Sequence, residues 1–293
     1  KETFAPIGKV SNRWGWGFVS ISVIMISVLV FIPMIQSFLL SLQSGQGNQL
    51  TFAGLSNYKR MLTDTTFRKA LVNTFLYLLV QVPVMIILAL FISVLLNDKK
   101  LKCRSFFRIA IFLPCVTSLV SYSLIMKSIF SGDGLVNQIL MAMHLISEPI
   151  GWTTSPAFAK ALIIISITWR WTGYNMIFYL SGLQNIDPSI YEAAELDGCN
   201  GFQKFFKIIV PQLKPIILFT TITSTIGTLQ LFDEVKNITD GGPANTTLTI
   251  SQYIYNLCFK YTPNFGYAAA IAFVVLVMIA ILSAIQMKVG GDD

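Results

Sequence analysis

Long apolar stretches separated by short polar segments dominate this chain of 293 residues. A helix needs roughly 20 mainly apolar residues to cross a bilayer, and six stretches meet or approach that length. They are 18–42, 70–96, 106–130, 157–181, 213–232 and 266–287. The pattern therefore predicts an all-α integral membrane protein with about six transmembrane helices.

The six stretches differ in how purely apolar they are. Stretches 70–96 and 266–287 contain no Asp, Glu, Lys or Arg, whereas 157–181 contains Lys160 and Arg170. The first stretch is too long for the apolar part of a signal peptide, so we expect a retained span. A shorter apolar segment, 135–145, is predicted to lie at the membrane interface or against the bundle.

Basic residues between the second and third stretches predict the orientation. Lys99, Lys100, Lys102, Arg104 and Arg108 stand there against one acid, Asp98. Cytoplasmic loops retain Lys and Arg, so this loop is predicted to be cytoplasmic. An even number of spans then leaves both termini in the cytoplasm, as a tail of residues 1–17 and a tail of residues 289–293. The two tails flank one transmembrane domain, 18–288, which contains a further predicted cytoplasmic loop at 182–212.

Composition supports the membrane assignment and excludes other classes. The chain is 54% hydrophobic and 12% charged, against about 25% charged residues in soluble domains. The net charge of +7 is explained by the basic cytoplasmic loops, so no nucleic-acid partner is expected. The four cysteines form no CxxC pair, and neither a metal site nor a disulfide framework follows.

The polar segment 185–215 has the features of two short capped helices. Asp187 is a favourable N-cap, and Pro188 suits the first helical position because its missing N–H is not needed there. Gly198 suits the left-handed residue that ends a helix. Asn200 and Gln203 have the spacing of a capping box at the start of a second helix.

Apolar residues recur at helical spacing along that second helix. They are Phe202, Phe205, Phe206, Ile209 and Val210. Pro211 and Pro215 are predicted to end it and to begin the next span. We therefore expect a rigid protrusion that fits a groove of a soluble partner. Small Ala193 and Ala194 permit close approach to that partner, and fixed negative charge comes from Glu192, Glu195 and Asp197.

This segment resembles the "EAA" loop of permease subunits of binding-protein-dependent ABC importers. The matching residues are Glu192, Ala193, Ala194, Asp197, Gly198, Ile209, Pro211 and Pro215. Other segments resemble the sugar branch of the family, which includes maltose-type and lactose-type permeases. They are Gly54-Leu55-Ser56-Asn57-Tyr58, Phe112-Leu113-Pro114, Thr239-Asp240-Gly241-Gly242-Pro243 and Gly266-Tyr267-Ala268-Ala269-Ala270. Cys199 departs from the usual alanine, and the long soluble insertion of the maltose-type member is absent.

The resemblance implies a type I ABC importer permease in a bacterial inner membrane. Its implied partners are a second homologous permease subunit, two ATPase subunits, an external solute-binding protein and a sugar. The implied ATPase-coupling residues are Glu192, Ala193, Ala194, Asp197, Gly198, Phe202 and Pro211. The sequence has no GxxxxGK[ST] motif with which to hold nucleotide phosphates. We therefore expect a transport subunit without enzymatic activity, cofactor or metal, whose partner ATPases bind ATP and Mg²⁺.

Polar side chains inside spans are costly in lipid and often mark a transport path. The candidates are Asn73, Gln81, Arg170, Trp171, Tyr174, Asn175, Gln230 and Asn256. Arg170 has two interpretations, since a buried guanidinium needs an anionic partner such as an acidic sugar, or carbonyls of a neighbouring helix. The sequence leaves open which sugar is carried, whether it is neutral or acidic, or whether it is glycerol phosphate.

Two other classes compete with an importer subunit. A membrane-embedded enzyme would gather His, Cys or acidic residues near one membrane face, but the chain has one His and no paired acids within its spans. An autonomous secondary carrier or channel often has inverted repeats or broken spans around charged residues, and the sequence indicates neither. Neither alternative accounts for the protrusion.

Overall fold

The computed structural model describes residues 9–46, 49–98 and 100–291. Part of each predicted tail (1–8 and 292–293) and Lys99 of the basic loop lie outside the described residues. The chain divides into two compact units. The first contains Lys1–Met61 and Leu257–Phe273, and the second contains Leu62–Asn256 and Val274–Asp293.

The first unit combines one long helical segment with a small hairpin. Helix α1 (Lys9–Ile26) continues through a π-helical turn (Ser27–Phe31) into α2 (Ile32–Ser41). Strands β1 (Gln43–Gln46) and β2 (Gln49–Phe52) then pair antiparallel, and α3 (Ser56–Thr63) follows. The Asn57 side chain donates to the carbonyls of Ser41 at 2.9 Å and Gln43 at 2.7 Å. These bonds fix the start of α3 against the helix–strand junction.

The second unit holds most of the bundle. In chain order, its long helices are α4 (Thr65–Asn97), α5 (Arg104–Val116), α6 (Leu119–Ile129) and α8 (Pro156–Gln184). Short helices α7 (Leu135–Ala142), α9 (Pro188–Leu196) and α10 (Gly201–Lys204) connect or follow them. A π-helical turn (Phe205–Ile209) leads into α11 (Val210–Leu229), and α12 (Asp233–Ile238) and α13 (Ile250–Tyr255) precede the last helix. That helix, α14 (Phe265–Gly291), belongs to the first unit up to Phe273 and to the second beyond it.

Buried apolar side chains hold α4, α8 and the neighbouring helices of the second unit together. One cluster contains Tyr77 of α4, Ile163 and Ile167 of α8, and Val235 of α12. A second cluster joins Ala89 of α4 to α8 and α11. Burial of these side chains positions the inner faces of α4, α8 and α11 toward one another, and polar residues of the same faces form the site described below.

The predicted spans all coincide with helices, so the all-α membrane fold is confirmed. Among the described residues, four continuous helical segments are long and apolar enough to cross a membrane, namely Gly15–Ser41, Thr65–Asn97, Gly201–Leu229 and Phe265–Gly291. Helix α8 has a comparable length of 29 residues but carries Lys160 and Arg170. None of the most apolar window of Gly15–Ser41 is buried within the chain, as expected for a helix that faces lipid or another subunit.

The predicted span 106–130 is not one continuous helix, although the sequence indicated no broken span. Helices α5 and α6 are bent by 106° at a short break, where Thr117 and Ser118 have extended backbone. Pro114 lies three residues before the break and removes a helical N–H donor. Separately, the carbonyls at the end of α5 have no N–H donor further along the same helix and are left to find other donors.

Candidate functional site

Local hydrogen bonds define the first helix of the protrusion. The Asp187 carboxylate accepts from the Ser189 N–H at 2.9 Å, and hydrogen bonding with Ser189 lowers the pKa of Asp187. Gly198 has φ +75°, in the left-handed region that ends helices. The Cys199 N–H then donates to the Ala194 carbonyl at 2.9 Å, which closes the C-terminal turn of α9.

The second helix of the protrusion begins with the predicted capping box. The Gln203 N–H donates to Asn200 Oδ1 at 2.8 Å, and the Asn200 N–H donates to Gln203 Oε1 at 3.0 Å. The ammonium of Lys204 pairs with Glu195 at 2.7 Å and lowers the pKa of that carboxyl. The ion pair joins the two short helices, so the protrusion is braced at its caps and across its turn.

The predicted coupling residues lie mostly on the exposed side of this protrusion. Among them, the exposed residues are Glu192, Ala193, Asp197, Gly198, Phe202 and Pro211. Ala194 is buried and allows α9 to approach its own bundle. Leu196 is 89% exposed and Phe202 is 74% exposed. Leu196 was not among the predicted coupling residues, since a single apolar residue in a helix is not by itself a signal of an interface.

The second short helix does not end at Pro211. It runs from Gly201 to Leu229 as one helical segment of 29 residues, through the π-helical turn at Phe205–Ile209. The predicted stop is wrong because Pro211 lies in the first turn of α11, where the wider turn before it leaves the missing N–H without consequence. The protrusion is therefore continuous with a span.

Helices α4, α8 and α11 together enclose a cavity of about 160 Å³. Its lining residues are Gln81, Met85, Ile167, Trp171, Tyr174, Thr223, Ser224, Gly227, Thr228 and Leu231. The Thr228 hydroxyl donates to Gln81 Oε1 at 3.0 Å. The rings of Trp171 and Tyr174 meet edge to face with centroids 5.6 Å apart. The wall thus combines aromatic surface with amide and hydroxyl groups.

Three of the predicted path residues, Gln81, Trp171 and Tyr174, meet in this cavity. Sequence analysis missed Thr223, Ser224, Gly227 and Thr228, whose small and hydroxyl side chains at helical spacing on one span were the available signal. Outside the cavity wall, the Asn73 amide donates to the carbonyls of Asn245 and Leu248. Asn175 bonds to the Trp171 carbonyl at 2.9 Å. The remaining candidates are the exposed Gln230 and the buried Asn256.

Arg170 hydrogen-bonds to the backbone at the break between α5 and α6. Its guanidinium donates to the carbonyls of Pro114 at 2.8 Å and of Cys115 and Thr117 at 3.2 Å each. These carbonyls lie where α5 ends and the backbone turns into α6. Of the two interpretations of Arg170, the structure supports the bond to a neighbouring helix.

The described residues include no group of three or more His, Cys, Asp or Glu side chains placed to hold a metal ion. The cavity and the protrusion are two candidate functional regions. Both regions share one helical segment, Gly201–Leu229. Its first turns form the second helix of the protrusion, and residues near its end line the cavity.

Comparison with known proteins relates the chain to membrane transport. Residues 99–289 match the family model described as binding-protein-dependent transport system inner membrane component. The lactose transport system permease protein of Rhizobium radiobacter is 56% identical over 93% of this chain and 92% of its own length. The arabinooligosaccharides transport system permease protein of Bacillus subtilis is 33% identical over 99% of this chain and 96% of its own.

A solved structure shares the fold. It is a bacterial alginate ABC transporter in complex with an alginate pentasaccharide-bound periplasmic protein, with a TM-score of 0.80 and 21% identity. The match covers 97% of this chain and 96% of the other. The broken span removes one sequence argument against an autonomous carrier, so the distinction rests on these family relationships. The chain belongs to the family of binding-protein-dependent transport system inner membrane components, the permease subunits of ABC importers.

Proposed function

We propose that the chain forms half of the translocation path for a sugar and is driven by separate ATPase subunits through the segment 182–212. The observation that carries this proposal is the continuity of the protrusion with the cavity wall. A displacement of Phe202 at the start of the Gly201–Leu229 helix acts on Thr223, Ser224 and Thr228 near its end without an intervening loop.

The exposed surface of the protrusion supports an ATPase as the partner. Leu196 and Phe202 present apolar side chains, and Glu192 and Asp197 present acidic ones, on one short braced segment. A protein groove recognises such a helical projection through apolar anchors and a charged rim. ATP and Mg²⁺ are then bound by the two ATPase subunits, and their closure moves two such protrusions together.

The cavity supports a saccharide as the solute. Trp171 and Tyr174 provide aromatic faces, while Gln81 and Thr228 provide groups that bond to hydroxyls. The names of the relatives, a lactose and an arabinooligosaccharide permease, agree with this chemistry. A second permease subunit completes the path, and an external binding protein delivers the sugar, as the periplasmic protein in the alginate transporter's name suggests. The proposed membrane is the bacterial inner membrane, with both termini cytoplasmic.

Charge reversal on the protrusion tests the coupling. In the assembled importer we expect Glu192→Lys to abolish ATP-dependent sugar uptake while the protein still inserts in the membrane. Glu148→Lys is a matched control, because Glu148 is also exposed but lies in the loop 131–156, which the alternation of the predicted spans places on the side of the membrane opposite to the loop 182–212. Uptake by Glu192→Lys at the wild-type rate would contradict the coupling role. The purified chain alone is expected to hydrolyse no ATP in a phosphate-release assay.

A further inference from the structure

Three basic side chains line a recess at the N-terminal ends of α4 and α8. Arg68 and Lys69 belong to α4, and Lys160 belongs to α8. The recess has a volume of about 410 Å³, within the range of about 300–1,000 Å³ that is usual for ligand sites. Its other lining residues are Thr65, Val72, Asn73, Ala244, Asn245 and Thr246. None of these described residues is an Asp or Glu, so the recess carries net positive charge.

Buried hydrogen bonds fix the wall that the loop before α13 contributes to this recess. The Asn73 amide donates to the carbonyls of Asn245 at 3.2 Å and Leu248 at 3.0 Å. The Tyr77 hydroxyl donates to the Thr247 carbonyl at 3.3 Å. Both donors are buried side chains of α4, so the loop is held against the helix that carries two of the three cations. The recess is therefore built by the packing of the bundle.

The three cations have no partner among the residues that the structure describes, either in an ion pair or in a hydrogen bond. The carboxylate nearest to them in sequence is engaged elsewhere. Asp64 caps α4 by accepting from the N–H groups of Thr66 at 2.8 Å and Phe67 at 3.1 Å, and it also accepts from the Tyr253 hydroxyl at 2.6 Å. Like charges on one concave surface repel one another. An anion in the recess offsets this repulsion.

The recess lies at a membrane surface where basic residues are uncommon. Helix α4 runs from the recess to the basic loop that is predicted to be cytoplasmic, so the recess is predicted to lie on the outer side. Lys and Arg are concentrated in cytoplasmic loops, and the orientation of the chain therefore does not explain these three. Basic pockets between spans bind the phosphate groups of lipids, and this recess opens at the level of the lipid headgroups.

An exposed apolar surface leads from the recess toward the middle of the span. Val72 lines the recess and is exposed, and Leu79 and Val80 follow on the same face of α4 at helical spacing. Leu79 is 70% exposed and lies about 10 Å from Val72 along the helix axis. Half of the hydrocarbon thickness of a bilayer is about 15 Å. The polarity of this face thus changes from cationic to apolar as that of one phospholipid changes from headgroup to acyl chain.

We propose that the recess binds the phosphate of an anionic phospholipid of the outer leaflet, whose acyl chain lies along the exposed apolar surface of α4. Arg68, Lys69 and Lys160 donate to the phosphate oxygens, and such charge-assisted hydrogen bonds are about twice as strong as neutral ones. The guanidinium of Arg68 can donate to two of these oxygens at once because of its planar fork. The site is separate from the sugar cavity and from the protrusion, so it does not depend on the function proposed for either.

Lipid binding to the detergent-solubilised importer tests this site. Dioleoylphosphatidylglycerol and dioleoylphosphatidylcholine have the same acyl chains and differ in net charge, so they form a matched pair of probes. Native mass spectrometry during titration with each lipid gives the two dissociation constants for the first bound lipid. A basic residue contributes about fivefold to the affinity for an anionic lipid. We therefore expect the wild type to prefer phosphatidylglycerol by about tenfold or more.

The double variant Arg68→Gln with Lys160→Gln removes one cation from each helix. It should reduce the preference to about twofold or less and leave the affinity for phosphatidylcholine unchanged. Lys127→Gln is the matched control, because Lys127 is also an exposed cation at the predicted outer end of a span but does not line the recess. If the double variant does not assemble, Lys69→Gln alone should lower the preference about fivefold.

Four outcomes would overturn the proposal. Two are equal binding of both lipids by the wild type and an unchanged preference in the double variant. A third is an equal loss of preference in Lys127→Gln, which would show a general attraction of anionic lipid to surface charge. Displacement of phosphatidylglycerol by an equal concentration of soluble glycerol phosphate would assign the recess to a free phosphate ester. If the double variant instead lost the external binding protein and kept its lipid preference, the recess would be a protein contact.

Discussion

Removal of the Arg170 guanidinium should destabilise the bundle at the broken span. In Arg170→Met the side chain keeps a similar length but loses every donor. The Pro114 carbonyl retains the Thr117 hydroxyl at 2.9 Å, whereas the carbonyls of Cys115 and Thr117 depend on Arg170. Two partly buried acceptors left without partners cost toward the lower end of about 1–3 kcal/mol each.

The expected loss in the free energy of unfolding is therefore about 3 kcal/mol, which corresponds to a fall in Tm of about 6–12 °C for a chain of this size. Differential scanning fluorimetry of the detergent-solubilised importer measures it. Lys160→Met, on the same helix but partly exposed, should change Tm little. Arg170→Lys keeps the charge but loses the planar fork, so its Tm should lie between those of wild type and Arg170→Met.

A different pattern would refute the structural role of Arg170. If Arg170→Met melted at the wild-type temperature but no longer bound sugar, the guanidinium would act on the solute.

Three further predictions concern packing, acid sensitivity and the partner. Gly173→Ala should lower the Tm of the bundle, because a Cβ at this position would lie 2.2 Å from a backbone oxygen of α5. Gly227→Ala places its Cβ in open space and should alter only sugar affinity. The Tm of each variant, measured with and without sugar, distinguishes the two effects. The Glu195–Lys204 pair should stabilise the protrusion above about pH 4.5, the ordinary pKa of the Glu195 carboxyl. This stabilisation should be lost as the pH falls through the lowered pKa that the carboxyl has in the folded protein. Amide hydrogen exchange of α9 should show the loss, and Lys204→Met should remove this pH dependence. Phe202→Ala should weaken ATPase binding at least tenfold without lowering Tm, and unchanged pull-down of the ATPase would contradict it.

The positions of the helices could be predicted closely from the sequence, because hydropathy is sufficient where lipid is the solvent. The break between α5 and α6 could not. Proline is tolerated within many spans because neighbouring groups satisfy the freed carbonyls, so Pro114 alone does not indicate a bend. The carbonyls at the end of α5 are instead satisfied by Arg170, whose contact with α5 is set by tertiary packing across 56 positions.

The protrusion was more predictable than the cavity because its signals are local. Asp187, Gly198 and the Asn200–Gln203 box each specify a turn or a cap within a few residues. The polar residues of the spans carry no such information. Asn73 and Gln81 are similar in chemistry and lie on the same helix, yet Asn73 bonds to the backbone of a loop and Gln81 lines the cavity. The difference arises because the two side chains leave the helix in different directions and meet different neighbouring segments.

The continuous helix from Gly201 to Leu229 connects the protrusion rigidly to the cavity wall. Phe202 and Ser224 are separated by 22 residues, or about 33 Å of helix. Rotation of this helix by about 5° around Phe202 moves Ser224 through about 3 Å, the length of a hydrogen bond. A tilt of a few degrees at one end is thus converted into a displacement at the cavity wall that is large enough to make or break a hydrogen bond.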